Sequence, residues 1–168
     1  MNNRNCFYKP LSDPAEAVAF LKGSEKYPSI CGTVRFCGTR GGVTVKAEVS
    51  GLPEKAVCGS PIFAFHIHDG EYCTGDKKDP FADAEGHYNP ENCPHPYHAG
   101  DMPPLFGVNG KAFSCFSTNR FTINEILGKT VIIHRMPDDF MTQPTGNAGE
   151  KLPAVLSVRQ KDINRKTH

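Results

Sequence analysis

The histidines of this chain stand where several side chains could share a metal ion. The stretch FHIH at 65–68 alternates like a β-strand, so His66 and His68 project from one face of it. His134 ends a second apolar run, VIIH, and could lie beside them. The segment 87–101, HYNPENCPHPYHAGD, adds four candidate ligands, which are His87, His95, His98 and Asp101. Imidazole and carboxylate groups clustered in this way are typical of metal sites.

These seven ligand residues are too many for one four-coordinate ion, and they fit two ions if one residue is shared. Three imidazoles with a carboxylate, in tetrahedral geometry, suit zinc, whereas four imidazoles in a roughly planar array suit Cu(II). An H-x-H pair can also activate water in a zinc hydrolase. Binuclear hydrolases often extend that pair with a nearby Asp and His, but HIHDGE offers only Asp69, which disfavours this chemistry.

Short strands must position these side chains. The chain contains 16 Gly and 14 Pro residues, which favour many turns over long helices. In VTVKAEV (43–49) apolar and polar residues alternate, and a glycine-rich link joins this run to CGTVRFC (31–37) as a hairpin. The run AVAFL (17–21) reads as either a helix or a strand. Further strands are predicted at 62–68, 111–118, 129–135 and 151–158.

Two long irregular segments and one helical turn complete the pattern. Residues 69–110 and 137–150 are rich in Gly, Pro, Asp and Asn and lack periodicity, which indicates functional loops. TINEILG (122–128) has Thr122 and Glu125 in capping-box spacing and ends in glycine, so it predicts a short helical turn. Several short strands with two long loops predict an all-β antiparallel sandwich or barrel.

Length and charge limit the classes of function. The 168 residues suit one domain at 15–160, preceded by an extension (1–14) and followed by a polar tail (161–168). The net charge of +1 points to neither nucleic acid nor an anionic membrane. The sequence shows no signal-peptide core and no run long enough to span a bilayer, which predicts a cytoplasmic protein. In a reducing cytoplasm most of the seven cysteines would be thiols.

Five stretches resemble, in order, the signature sequences of the copper-zinc superoxide dismutase family: FHIHDG, GHYNP, HAGDMP, GKTVIIH and TGNAGEKL. The runs AVAFLKG, GTVRF and VTVKAEVSGLP are similar to its early strands, so the resemblance covers residues 17–158. It implies a bacterial, cytoplasmic-type member with an immunoglobulin-like, eight-stranded Greek-key barrel or sandwich. Two long loops would cover a copper-zinc pair, and 17–21 would be a strand.

The resemblance implies a role for each candidate ligand. The copper ligands would be His66, His68, His87 and His134, and the zinc ligands would be His87, His95, His98 and Asp101. His87 would therefore bridge the two metals. Asp138, with Asp139 as the alternative, matches an aspartate that hydrogen-bonds one copper ligand and one zinc ligand.

The implied activity is the disproportionation of superoxide to oxygen and hydrogen peroxide, with copper and zinc as cofactors. His87 would bridge the metals as an imidazolate and carry a proton to the peroxide, and Lys151 would attract the superoxide anion. The alternative is a superoxide dismutase-like copper- and zinc-binding protein with little catalytic activity. The expected partner is superoxide, and neither nucleic acid nor a membrane is expected to bind. The chain could also form a homodimer.

Three departures from the family pattern bear on activity. The spacing within HPYH is shorter than usual, and Lys151 stands where the family usually has arginine. The family also ties its first long loop to a cysteine of the last strand. Cys73 fits the loop position, but KLPAVLSV contains no cysteine, so this disulfide cannot form. Whether Cys93 or Cys58 pairs with Cys73 instead stays open from sequence.

Overall fold

Antiparallel strands make up most of the regular structure. The computed structural model describes residues 16–54, 61–155 and 159–160. The strands are β1 (Ala17–Gly23), β2 (Cys31–Thr39), β3 (Gly42–Ser50), β4 (Ile62–His68), β5 (Asp101–Phe106), β6 (Lys111–Thr118), β7 (Thr130–His134), β8 (Lys151–Val155) and β9 (Arg159–Gln160). The helical elements of the described part are α1 (Ile123–Ile126) and a 3₁₀ turn (Ala82–Ala84).

The strands are connected as a Greek key. Hydrogen bonding joins them in the order β5-β4-β7-β8-β1-β2-β3-β6, and the two-residue β9 pairs with β1. Every pairing is antiparallel. The crossovers that place β7 beside β4 and β8 beside β1 fold the path into two packed layers. The predicted all-β sandwich is confirmed, and β5 and β6 form the two ends of the described path instead of closing a barrel.

The core lies between the two layers and follows the period of the strands. In β3 the four apolar residues at alternate positions are buried, and the residues between them are partly exposed, as the alternation in 43–49 predicts. Phe36, Phe63 and Phe65 are among the largest fully buried side chains. Burial of each such side chain contributes about 1.5–3 kcal/mol. Because two of them belong to β4, the strand that carries His66 and His68 is anchored in the core.

One predicted loop contains a strand. The sequence predicts irregular structure throughout 69–110. This prediction is wrong at 101–106, where the chain forms β5. Pro103 and Pro104 argue against a strand there, because proline cannot donate to a ladder. β5 accommodates both because it is at the end of the strand order and pairs with β4 on one side only. Position in the sheet, and not local propensity, decided this element.

The other local predictions agree with the structure. The run 17–21 lies within β1, which confirms strand over helix. α1 begins with the predicted capping box, since the backbone N–H and the hydroxyl of Thr122 both donate to the Glu125 carboxylate. β8 covers the first five residues of the predicted last strand. Within the described part of the chain, no helix is long and apolar enough to cross a membrane.

Three sequence predictions fall on residues that the structure does not describe. They are the extension 1–14, the tail 161–168 and the part of the last strand at 156–158. The division into domains therefore stays a prediction.

Candidate metal centre

β4 and β7 bring three histidines together. His66 and His68 belong to β4 and are 0% and 1% exposed. β7 runs antiparallel beside β4 and ends at His134. The Nε2 atoms of His68 and His134 are 3.2 Å apart. Strand geometry therefore collects these imidazoles from two separate segments of the sequence.

The remaining donors lie in residues 87–101, which we call the ligand loop. An isolated β-bridge pairs His87 with His68 at the start of this loop, and Asp101 pairs with His66 where β5 begins. Both ends of the ligand loop are thus held against β4, so its donor side chains are brought to the histidines of that strand.

Two groups of four donors result, and in each group the donor atoms lie within 4.8 Å of one another. One group consists of His66, His68, His87 and His134, and the other of His87, His95, His98 and Asp101. Every member is buried. The structure therefore brings together all seven residues that the sequence singled out, and it does so as two groups with one shared member.

Backbone carbonyls define which nitrogen faces the all-histidine group. His68 Nδ1 lies 2.8 Å from the Glu85 carbonyl oxygen, and His134 Nδ1 lies 3.3 Å from that of Gly149. A carbonyl oxygen only accepts, so both Nδ1 atoms carry the proton. Their Nε2 atoms are consequently unprotonated in the neutral rings and directed at each other inside the group.

The second group is organised around one carboxylate. Asp101 Oδ1 lies 2.7 Å from His87 Nδ1, and Asp101 Oδ2 accepts the backbone N–H of His98 at 3.0 Å. His95 Nδ1 lies 3.0 Å from Asp101 Oδ2 without forming a hydrogen bond. His98 Nδ1 is 3.4 Å from His87 Nδ1. Three imidazole nitrogens and one carboxylate thus point at a common centre.

His87 connects the two groups. Its Nδ1 belongs to the carboxylate group, while its ring lies 3.9 Å, between centroids, from that of His66 in the all-histidine group. Its Nε2 is buried and has no hydrogen-bond partner among the described residues. One imidazole therefore offers a nitrogen to each group.

Asp138 links the groups from outside. Its Oδ2 lies 2.8 Å from His66 Nε2, and its Oδ1 lies 2.8 Å from His95 Nε2 and accepts the Phe140 N–H at 2.7 Å. Burial raises the pKa of Asp138. The hydrogen bonds from His66, His95 and the Phe140 N–H outweigh this effect and hold the pKa of Asp138 well below its usual range. Asp139, the alternative from sequence, instead accepts hydrogen bonds within its own turn.

Three ring nitrogens in the groups are buried without a hydrogen-bond partner in the described structure. They are His66 Nδ1, His87 Nε2 and His95 Nδ1. Burying an unsatisfied polar atom costs about 1–3 kcal/mol. In His66 and His95 the opposite nitrogen contacts Asp138, so the open nitrogen of each faces its group. Such unprotonated nitrogens are suited to bind cations, and the two donor sets match copper and zinc chemistry.

Burial keeps the strand histidines neutral. It lowers the pKa of His66 to about 4 and that of His134 to about 3, with the charge of neighbouring imidazoles acting in the same direction. Burial likewise holds the pKa of His68 well below its usual value. Neutral imidazole is the form that binds metal, so these rings are ready as ligands at neutral pH.

Gly146 allows the second loop, residues 137–150, to approach the centre. Its φ is +66°, which a side chain would strain. A Cβ built there would lie 2.0 Å from Asp138 Oδ1 and 2.6 Å from His95 Nε2. The contact between these two residues therefore depends on a glycine at this position.

Gln143 is a site residue that sequence reasoning missed. Its Oε1 accepts the backbone N–H of His95 at 2.9 Å, and its Nε2 donates to the His95 carbonyl at 2.8 Å. The second loop thereby holds the backbone of His95, while Asp138 holds its ring. Nothing in TQPT predicts this contact, because it depends on two distant loops meeting in space.

Lys151, predicted to attract the anion, begins β8 and pairs with His134 in the strand register. Its Nζ lies 2.9 Å from Asp79 Oδ2 and donates to the Phe81 carbonyl at 2.9 Å. Its side chain is 17% exposed and lines a pocket of ≈ 740 Å³ that Lys26 also borders. The Lys151 charge is near enough to His134 to lower the pKa of that imidazole, although burial is the larger cause, and Asp79 offsets part of this charge.

The cysteines agree with the expectation that most are thiols, since Cys37, Cys73, Cys93 and Cys115 all carry thiols. Cys31 is the exception among the described cysteines, because it forms a disulfide. Cys73 and Cys93 both carry thiols, so the bond between them that the sequence left open does not form. Cys58 lies outside the described residues.

Comparison with known proteins adds the family context. The model of the family described as copper/zinc superoxide dismutase (SODC) matches residues 30–155. "Superoxide dismutase [Cu-Zn] 2" of Aquifex aeolicus is 32% identical over 138 residues, which are 73% of this chain and 76% of the relative. "Superoxide dismutase-like protein YojM" of Bacillus subtilis is 32% identical over 103 residues, 52% of this chain and 51% of the relative. The solved Cu/Zn superoxide dismutase from Brucella abortus has the same fold, with a TM-score of 0.71 at 23% identity, covering 84% of this chain and 99% of its own.

Proposed function

Because the chain belongs to the copper/zinc superoxide dismutase family, we propose that it disproportionates superoxide to oxygen and hydrogen peroxide. One observation carries the proposal: His87 offers one ring nitrogen to each of two buried donor groups. Members of this family bind copper and zinc. A shared imidazole between two four-donor groups is the arrangement that such a pair of metals requires.

In this proposal the all-histidine group holds copper and the group with the carboxylate holds zinc. The copper ligands are His66, His68, His87 and His134, and the zinc ligands are His87, His95, His98 and Asp101. Four imidazoles suit Cu(II), and three imidazoles with one carboxylate suit zinc. The buried ring nitrogens without partners support the assignment, because a bound cation would satisfy them.

When bound, copper supplies the electron chemistry, since it can take an electron from one superoxide and give it to a second. The chain supplies position and protons. His87 Nε2, which is buried and has no hydrogen-bond partner among the described residues, would be the atom that passes a proton to the peroxide. Asp138 fixes the orientation of His66 and His95 through their outer ring nitrogens.

Lys151 is the proposed anion guide. Superoxide is a small anion, and a cation beside the copper group would raise its local concentration. Lysine is a mobile point charge and orients a bound anion less well than the fork of an arginine. The Asp79 carboxylate also offsets part of the charge, so the attraction should be weaker than that of an unpaired cation.

The second candidate function is copper and zinc binding with little turnover. The pairing of Lys151 with Asp79 favours it, because a weak anion guide would slow the reaction. The similarity to a superoxide dismutase-like protein also keeps this function in view. The two candidates share their metal site and differ in the rate of superoxide removal.

Metal analysis combined with a superoxide assay separates the two candidates. The full chain is loaded with copper and zinc, its metal content is measured, and superoxide removal is followed at several salt concentrations. Full copper occupancy with fast, salt-dependent removal supports the dismutase. Full occupancy with slow removal selects the binding protein, and failure to take up copper contradicts both.

The redox state of Cys31 in the cell would indicate the compartment in which the protein functions. The cytoplasmic location expected from sequence predicts that most cysteines are thiols in the cell, whereas the disulfide at Cys31 fits an oxidising compartment. Thiol labelling of fractionated cells distinguishes a cytoplasmic location from an oxidising compartment. Superoxide as the small-molecule partner stays a proposal. A homodimer is also a proposal, and sedimentation equilibrium tests it.

A further inference from the structure

Arg120 lies outside both loops, in the short link between β6 and α1. Its backbone N–H donates to Thr118 Oγ1 at the end of β6 (3.2 Å). The next residue, Phe121, is 3% exposed, and its ring meets Phe36 edge-on with centroids 6.2 Å apart. The base of the Arg120 side chain is therefore anchored to the core of the sandwich.

The Arg120 guanidinium contacts the backbone of the ligand loop. Its Nη1 lies 3.1 Å from the carbonyl oxygen of Pro96 and 3.4 Å from each of those of His98 and Asp101. One nitrogen with two hydrogens thus serves three acceptors, so at least one hydrogen is shared. Two of the acceptors belong to residues that are proposed zinc ligands.

A positive charge stabilises this arrangement. Three carbonyl oxygens that converge on one point carry partial negative charges, and a cation between them offsets their mutual repulsion more strongly than a neutral donor does. Arginine supplies this cation because its guanidinium stays protonated throughout the pH range in which proteins are folded. The contact therefore acts on the ligand loop whether or not a metal is bound.

We propose that Arg120 is a positioning residue that holds the ligand loop in its zinc-binding conformation before the metal arrives. The inference deepens the zinc half of the proposed function and rests on it. Because the three hydrogen bonds from Arg120 Nη1 go to backbone carbonyls of the ligand loop, removal of this side chain should weaken zinc binding and leave the proposed copper donors on β4 and β7 in place.

Hydrogen exchange in the metal-free full chain is the first test. Arg120→Gln removes the charge, and Arg120→Lys keeps a cation with three N–H donors on one atom, matching the three acceptors. Arg40→Gln, in the exposed β2–β3 turn, is the matched control. Arg120→Gln should speed exchange at the amides of residues 97–101 about tenfold or more, because hydrogen bonds to a charged group are lost. Arg120→Lys and Arg40→Gln should stay near the parental rate.

Metal titration is the second test. Arg120→Gln should weaken zinc binding about 10–100-fold, the usual cost of losing a group that orients ligands, and should alter the cobalt(II) spectrum of the zinc site. Copper affinity should be unchanged, and Arg120→Lys should restore zinc binding. If the parental chain takes up no zinc in the ligand loop, the proposed function fails, and metal-free exchange still decides the role of Arg120.

Parental exchange in folded Arg120→Gln would overturn the inference. Arg120→Met keeps the apolar stem and removes every donor, so it is measured in parallel in case the glutamine variant is unstable. Parental exchange or parental zinc affinity in that folded variant would overturn the inference equally.

Discussion

At the scale of single residues, His87 is the side chain on which both donor groups depend. His87→Ala should abolish superoxide removal and weaken both copper and zinc binding, because each group loses one of its four donors. Matched variants separate the groups: His98→Ala should weaken zinc alone and His134→Ala copper alone. Parental zinc affinity in His87→Ala would show that this residue does not bridge.

Gly146 provides a second test at residue scale. Gly146→Ala introduces a Cβ 2.0 Å from Asp138 Oδ1 at a φ of +66°, so the contact of Asp138 with His95 must break. We expect a loss of more than about 1 kcal/mol in the free energy of unfolding, together with weaker zinc binding. Gly41→Ala is the control, since a Cβ there meets nothing within 4 Å. Metal affinities and denaturant titrations that match the control would contradict the close approach.

Lys151 tests the anion guide. Lys151→Ala should slow superoxide removal severalfold or more and flatten its salt dependence, because a positive charge near the proposed copper ligands is lost. Lys151→Arg should preserve or raise the rate, and metal content should stay constant in both variants. Lys111→Ala, an exposed lysine at the start of β6, is the control. A parental rate with a parental salt slope in Lys151→Ala would mean that another cation near the copper attracts superoxide.

At the scale of elements, the ligand loop has little secondary structure of its own, so we expect zinc bound by its donors to add to the order that its backbone contacts provide. Asp101→Ala should weaken zinc binding and speed hydrogen exchange across residues 69–101, while copper still binds on the strands. Exchange is measured with and without zinc. Glu91→Ala removes an exposed carboxylate of the same loop and serves as control. Identical protection with and without zinc in the parental chain would show that zinc does not organise the loop.

The strands differ from the loops in how they are specified. Alternation of apolar and polar residues predicts β3 and the facing pair on β4, because side chains on a strand alternate between its two faces. The same rule fails for β5, whose two prolines are tolerated only because it is at an edge. Edge position is a property of the assembled sheet, so local sequence cannot reveal it.

At the scale of the whole molecule, the disulfide at Cys31 bears on global stability. Adding reductant should lower the free energy of unfolding by about 2–5 kcal/mol through this bond, as is typical of small domains. Cys31→Ser should remove the sensitivity to reductant. Cys73→Ser should keep it, because Cys73 is a thiol in the structure. Loss of the sensitivity in Cys73→Ser would show that Cys73, and not Cys31, holds the relevant bond.

The sequence alone predicted an all-β sandwich or barrel, most of its strands and the seven candidate donors, and the family resemblance implied which histidine is shared. The strands and the candidate donors follow from residue type and short spacing, such as the two histidines that share a face of β4. Only the tertiary structure decided which atoms meet. The contact of Gln143 with His95, the pairing of Lys151 with Asp79 and the carbonyls held by Arg120 each join distant segments. Such contacts depend on how loops of irregular backbone pack against a finished sheet, and no local pattern encodes that packing.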